Sequence, residues 1–183
     1  MMKKQKRQLL IIIGILILCM GGYFLAKKMP KEEEVTVGTE SHTVTSITQE
    51  EVTEISYLYE GDIIELIKED DVWKSKEDKA LLLDQTAIGN MLSYVCSITT
   101  DTVIENPESL EEYGLTNPEN TVCLTLSDGS IVQLLIGDYL DITGEYYALL
   151  AGDTNVYTVS SYIPSVFAKS LDMLVEVVEE TTE

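Results

Sequence analysis

In 183 residues the chain carries 32 acidic and 12 basic side chains, a formal charge of −20. The basic ones are front-loaded: Met1 to Lys31 holds seven Lys/Arg and no acid, whereas Val35 to Glu183 holds five Lys and 29 Asp/Glu, giving 5 − 29 = −24. Such a charge repels phosphate backbones and anionic lipid head groups, which argues against nucleic-acid binding and for a soluble, self-repelling surface.

Leu9 to Ala26 contains no charge. At ~1.5 Å rise per residue these residues make a helix of roughly 27 Å, close to the ~30 Å hydrocarbon thickness of a bilayer. Residues 1–8 form a basic head with Lys3, Lys4, Lys6 and Arg7, so the pattern is that of a signal peptide or an uncleaved signal anchor. No Ala-x-Ala pattern precedes Lys27, and Cys19 follows the bulky Leu16-Ile17-Leu18, which fits neither a peptidase site nor a lipoprotein site. A retained transmembrane helix over 9–26 is therefore expected, in contact with membrane lipid. Lys27, Lys28 and Lys31 nearly balance the basic head, but the short head favours a cytoplasmic N-terminus. The acidic part is then extracytoplasmic, in a single-pass cell-membrane protein of a cell envelope; reverse insertion is the alternative.

Residues 27–50 read as a flexible tether, rich in Glu, Thr, Ser and Val without an apolar period. One domain is expected over 51–175, large enough to bury a core without disulfide staples. It opens with β-rich runs on either side of Glu60-Gly61-Asp62, a hairpin, and a second turn at Asp70-Asp71 leads to Val72-Trp73-Lys74. Trp73 reads as a core anchor. Asp84 caps a helix running to about Ile98, with Ile88, Met91, Leu92 and Val95 on one stripe; Gly89 costs it about 1 kcal/mol relative to alanine. Asn106 to Leu115 is expected to be a short helix, with Asn106 as cap, Pro107 first and Gly114 as the left-handed residue beyond the end, placing Leu115 against Leu110.

Two strands, Thr121 to Ser127 and Ser130 to Ile136, flank Asp128-Gly129, a tight-turn signal with positive φ expected at both positions. Val122, Leu124 and Leu126 face the deeper side. Further strands are expected at Glu145 to Leu150 and Val156 to Val159, then a closing helix from Ser161 to Leu174 aligning Ile163, Val166, Phe167, Leu171 and Leu174. Residues 176–183 form an acidic tail. The fold class is α+β: an antiparallel or mixed sheet of about six strands with two main helices.

Chemistry is sparse in this sequence. The only histidine, His42, sits in the tether without a positioned partner for general acid/base work. There is no phosphate-cradling Gly-rich loop ending in Lys-Ser/Thr, and no dinucleotide fingerprint. Cys96 and Cys123 read as buried free thiols, with a disulfide as the alternative in an oxidising compartment. Asp70-Asp71 reads as turn chemistry. Asp138, Asp141 and Glu145 offer oxygen ligands in principle to calcium, but their spacing departs from the helix-loop-helix calcium pattern. Tyr57, Tyr59, Tyr146, Tyr147 and Tyr157 read as half-buried strand positions, or, if exposed together, as a protein-binding face. No catalytic, cofactor-binding or metal residue is assigned, and no cofactor is expected.

Tyr113-Gly114-Leu115 followed by Pro118, the Asp128-Gly129 hairpin, Ile136-Gly137, Tyr146-Tyr147 and Val156-Tyr157-Thr158-Val159 together resemble the domain-of-unknown-function 4340 family. The resemblance covers Val52 to Leu174, in one copy of a unit that many members carry longer or doubled. It implies a membrane-tethered bacterial envelope protein, and for some members occurrence with ATP-binding-cassette transporters, including those linked to gliding motility. It brings no catalytic residues. The expected function is a non-enzymatic interaction or accessory module with a membrane-protein partner such as an ABC-type permease, the alternative being an envelope protein that binds a cation or wall ligand.

Overall fold

Asp70 and Asp71 both adopt positive φ (52° and 63°), as do Glu60 (51°) and Gly61 (91°). Two-residue loops of this kind match the right-handed twist of the strands they join. They fold residues 52–75 into three consecutive antiparallel strands, the start of a nine-stranded sheet. The structure, a computed structural model, describes residues 35–118 and 120–176, with side chains from 41 onward. The basic head, the apolar stretch Leu9 to Ala26, the first part of the tether and the tail beyond Glu176 lie outside the described residues. No helix among the described residues is long and apolar enough to cross a membrane.

The strands are β1 (Val35–Thr43), β2 (Val52–Tyr59), β3 (Asp62–Glu69), β4 (Val72–Ser75), β5 (Thr99–Ile104), β6 (Asn120–Leu126), β7 (Ile131–Leu140), β8 (Glu145–Leu150) and β9 (Val156–Ser160). Their order is β1-β5-β9-β8-β7-β6-β2-β3-β4, antiparallel throughout. The α+β class and antiparallel sheet agree with the sequence, but about six strands becomes nine. Val72–Ser75, readable from sequence as a third strand or an extension of the second, is a strand of its own, and the two unforeseen strands, β1 and β5, pair with each other. Both are Thr-rich and interrupted by polar or charged residues, so they show no apolar period; β-branched content and pairing override that.

The tether reading changes accordingly. Val35–Thr43 is a strand, and the residues after it are core: Val44 is 8% and Thr45 5% exposed. The Thr45 hydroxyl donates to the Val95 carbonyl (2.8 Å) and accepts from the Ile98 amide (2.9 Å), while the Ile47 amide donates to the Cys96 carbonyl (2.8 Å). The segment satisfies carbonyls that the end of a helix leaves open.

That helix, α1 (Gln85–Cys96), is capped as expected by Asp84, whose carboxylate accepts from the amides of Thr86 and Ala87, both at 2.9 Å. Ile88, Met91, Leu92, Val95 and Cys96 are buried. They pack on one face of the sheet with Val52, Ile55, Tyr57, Leu66, Trp73, Val122, Leu124, Leu134 and Ile136. The closing helix is shorter than its periodicity suggests. α2 spans only Tyr162–Phe167, and a 3-10 turn follows at Leu171–Leu174. Between them the Tyr57 hydroxyl donates to the Lys169 carbonyl (3.0 Å) and Ser170 is extended, after which Val175 bridges to Leu83. These tertiary partners replace helical hydrogen bonds.

Two local readings are also corrected. Asn106 to Leu115 is not a capped helix: Asn106 has φ 47° and only Glu111–Tyr113 forms a 3-10 turn. At the β6–β7 hairpin only Gly129 has positive φ (84°), with its amide bonded to the Leu126 carbonyl (2.9 Å) and Leu126 to Ser130 (2.8 Å). This is a tight turn over Ser127-Asp128 closed by a left-handed glycine, rather than two positive-φ residues.

Candidate functional site: a loop locked onto a bulged strand

After β5 the chain crosses the sheet face opposite the helices. The Glu111–Tyr113 turn ends at Gly114 (φ 67°), whose amide reaches the Glu111 carbonyl (3.1 Å), and the Leu115 amide reaches that of Leu110 (3.0 Å). These are the two bonds of a left-handed helix termination, with the expected hydrophobic closure: Leu110 packs on the cluster that contains Leu115. The loop thereby seals a second core of Ile104, Tyr113, Leu115, Leu149 and Val156, with Tyr113 edge-on to Tyr147 at 4.8 Å.

The loop rests on a bulge in β7. Ile136 pairs with Ala148 and Tyr139 with Tyr146, so Gly137 and Asp138 together oppose Tyr147 alone. Bulges bend a strand and re-aim its side chains. A Cβ on Gly137 would overlap the Tyr113 carbonyl oxygen, and one on Gly114 would overlap the Asp138 carboxylate and stand 2.8 Å from the Asp138 nitrogen. Backbone meets backbone here, which is why both positions are glycine.

Beside the contact lies a recess of 380 Å³ lined by Asn117, Asn120, Asp138, Tyr139 and Tyr146 along with the two glycines. The rings of Tyr139 and Tyr146 are 5.0 Å apart and tilted by 53°. A second recess of 400 Å³ shares Asn120 and continues to Leu58, Tyr59 and the Glu60-Gly61 turn. The Glu60 carboxylate raises the Tyr59 phenol above its ordinary value. Ala168 also lines the second recess and is followed by Lys169, but the charged lining residues themselves are the carboxylates Glu60 and Asp138.

Among the described residues, no loop covers the other half of the same sheet face. The registers place Ile131, Thr125, Glu54, Ile67 and Lys74 in one row across β7, β6, β2, β3 and β4, and Leu58 beside Ile63 in another. Ile63 and Ile131 are 71% and 68% exposed, and Val72 at the edge is 44% exposed. Ion pairs interleave them: Lys76 with Glu54 and Glu65, both at 2.7 Å, and Glu69 with Lys74 (3.2 Å) and Lys79 (2.5 Å). These two lysines hold the Glu69 carboxyl below its usual range.

The residues singled out in the sequence fall in separate places. Asp138 stands at the bulge, Asp141 in the exposed β7–β8 turn, and Glu145 opposite Leu140 and Ser160. Among the described residues no three of His, Cys, Asp and Glu are grouped to hold a metal ion. Asp70-Asp71 is the β3–β4 turn, and Asp71 pairs with Lys68 at 3.6 Å. His42 is exposed on β1. Both domain cysteines are free thiols; Cys96 lies in the helix-side core, whereas Cys123 alternates with the core residues Val122 and Leu124 and so faces away from it. Burial, aided by the Glu50 carboxylate, pushes the Cys96 thiol up to about 11. Trp73 is buried, and of the strand tyrosines Tyr57 and Tyr157 are buried while Tyr59, Tyr146 and Tyr147 are half-buried. Asn117 and Asn120 were not singled out by sequence; their signal is the Asn-Pro turn at 117–118 leading into a strand.

A family model described as Domain of unknown function (DUF4340) matches residues 73–177, more than half of the chain. No curated protein and no solved structure matches.

Proposed function

Because the chain belongs to the DUF4340 domain family, we propose that it is a membrane-anchored, extracytoplasmic interaction module, an accessory to a membrane-protein complex such as an ABC-type transporter. The observation that carries this reading is the uncovered half of the sheet face, where Ile63, Ile131 and Val72 stand exposed among ion-paired charges. Exposed apolar residues spread over one sheet face and interleaved with charge have the make-up of a protein contact surface. The eighteen uncharged residues from Leu9 to Ala26 support the anchor, and the basic head supports a cytoplasmic N-terminus. The charge of −24 beyond residue 34 supports a partner that presents a neutral or basic surface.

The test is site-specific photo-cross-linking of the full-length protein in intact cells from position 131 or 63, followed by mass spectrometry. A permease or transporter ATPase cross-linked from these positions, and not from the exposed Asn90 on α1 or from an anchor-only control, is the expected result. Equal labelling from all positions, or recovery of lipid and self-adducts alone, refutes it.

A further inference from the structure

The paired recesses at the end of the sheet differ in chemistry from the open face. Asn117 and Asn120 contribute carboxamides and Asp138 a carboxylate, and among the described residues none of these side chains is hydrogen-bonded. Tyr139, 50% exposed, and Tyr146 supply two ring faces beside them, and Tyr59 a third across the shared Asn120. Carboxamides that both donate and accept, and a carboxylate that accepts, match vicinal hydroxyls, and aromatic faces match the apolar C–H face of a sugar ring. Volumes of 380 and 400 Å³ fall at the small end of ligand sites, roughly 300–1,000 Å³. The carboxylates of Asp138 and Glu60 in the lining disfavour an anionic ligand, Lys169 after Ala168 being the neighbouring cation, and Asp138 by itself falls short of the six to eight oxygens of a calcium site.

We propose that the linked recesses around Asn117, Asn120, Asp138, Tyr139 and Tyr59 bind a neutral oligosaccharide, one pyranose against the Tyr139–Tyr146 pair and the next extending past Asn120 towards Tyr59. The site is preorganised because its floor is the glycine-locked junction: the bulge fixes Asp138 and Tyr139, and the sealed loop fixes Asn117. It goes beyond the interaction reading and uses a different part of the surface.

The experiment is isothermal titration of the full-length protein in lipid nanodiscs with three neutral probes, the tetramers of N-acetylglucosamine, β-1,4-glucose and α-1,4-glucose, and with polygalacturonate as an anionic probe. At least one neutral tetramer binds, about tenfold more weakly to Tyr139→Ala and to Asp138→Asn. Asp138→Asn leaves the melting temperature read from Trp73 fluorescence unchanged, and Tyr139→Ala, which loses the ring contact to Tyr146, lowers it by only a few degrees and stays folded at the titration temperature. Ile131→Glu leaves sugar binding intact, which separates this site from the open face. The proposal is overturned if no neutral tetramer binds, if Tyr139→Ala binds as tightly as the parent while still folded, or if polygalacturonate binds as well as the neutral probes.

Discussion

Replacing Gly137 by alanine adds one methyl group at the point where loop and sheet touch through their backbones. Gly137 does not have positive φ, so alanine meets no conformational penalty of its own and the whole effect is collision. The new Cβ would overlap the Tyr113 carbonyl oxygen and stand 3.1 Å from Leu115 Cγ. Relief requires the Tyr113-Gly114-Leu115 segment to withdraw by about an ångström, far enough to forfeit much of its dispersion contact. Overpacking of this kind costs about 1–3 kcal/mol. Partial opening of the cluster under the loop adds more: exposing ~50 Å² of Tyr113, Leu115 and Leu149 costs about 1 kcal/mol. A total near 3 kcal/mol corresponds to a fall in melting temperature of roughly 10 °C for a domain of this size. The assay is thermal unfolding of the full-length protein in mild detergent, followed by fluorescence of Trp73, the only tryptophan. Gly152→Ala is the control, since Gly152 has φ 92° and nothing within 4 Å of an added Cβ, and loses only about 1 kcal/mol to backbone strain. A loss below ~0.5 kcal/mol for Gly137→Ala, or one no larger than the control, refutes the locked junction.

At the β4 edge, the Gln85 side chain accepts from the Trp73 amide (2.8 Å) and donates to the Trp73 (3.0 Å) and Leu83 (2.9 Å) carbonyls, standing in for a tenth strand. Gln85→Ala therefore lowers stability by about 2 kcal/mol, and concentration-dependent light scattering rises as the edge opens; no change in either measurement contradicts this role. In α1, Gly89 has nothing within 4 Å of an added Cβ, so Gly89→Ala raises stability by about 0.5–1 kcal/mol in urea unfolding, and a decrease contradicts the helix environment described. Burial raises the Tyr57 phenol well above its ordinary value. The folded state holds that proton while the unfolded chain releases it, so this contribution to stability is intact below pH ~10 and is lost as pH rises beyond it. Tyr57→Phe, which removes the bond to the Lys169 carbonyl, is about 1 kcal/mol less stable at pH 7, and the gap narrows above pH ~10; a constant gap across that window sinks the assignment.

Most of the sheet is legible wherever turn chemistry is written in side chains. Glu60-Gly61, Asp70-Asp71 and Gly129 each mark a hairpin, and Asp84 marks the start of α1. What is illegible depends on partners distant in sequence. β1 and β5 look polar because neither has an alternating apolar face, and they become strands by pairing with each other. The closing helix stops because Tyr57, 112 residues away from Lys169, claims its carbonyl, and because Val175 bridges to Leu83. The recess was hidden for the same reason: Asn117 and Asp138 are twenty-one positions apart, and what brings them to one cavity is a bulge at Gly137-Asp138, beyond the Ile136 where the strand is expected to end.

Three of the sequence features that carry the family resemblance meet at this junction. Gly114 and Gly137 are required by backbone contact, Tyr113 and Leu115 seal the second core, and Tyr146 and Tyr147 flank the bulge from β8. All lie inside the matched residues 73–177. Asn117, Asn120 and Asp138 stand apart from that requirement, since neither core uses their side chains. Substituting them changes what the recess can hold while leaving the junction closed, so one architecture can present different ligand chemistries from the same place. The glycines define the fold and the recess side chains define its use, which is why Gly137→Ala is tested by stability and Asp138→Asn by binding.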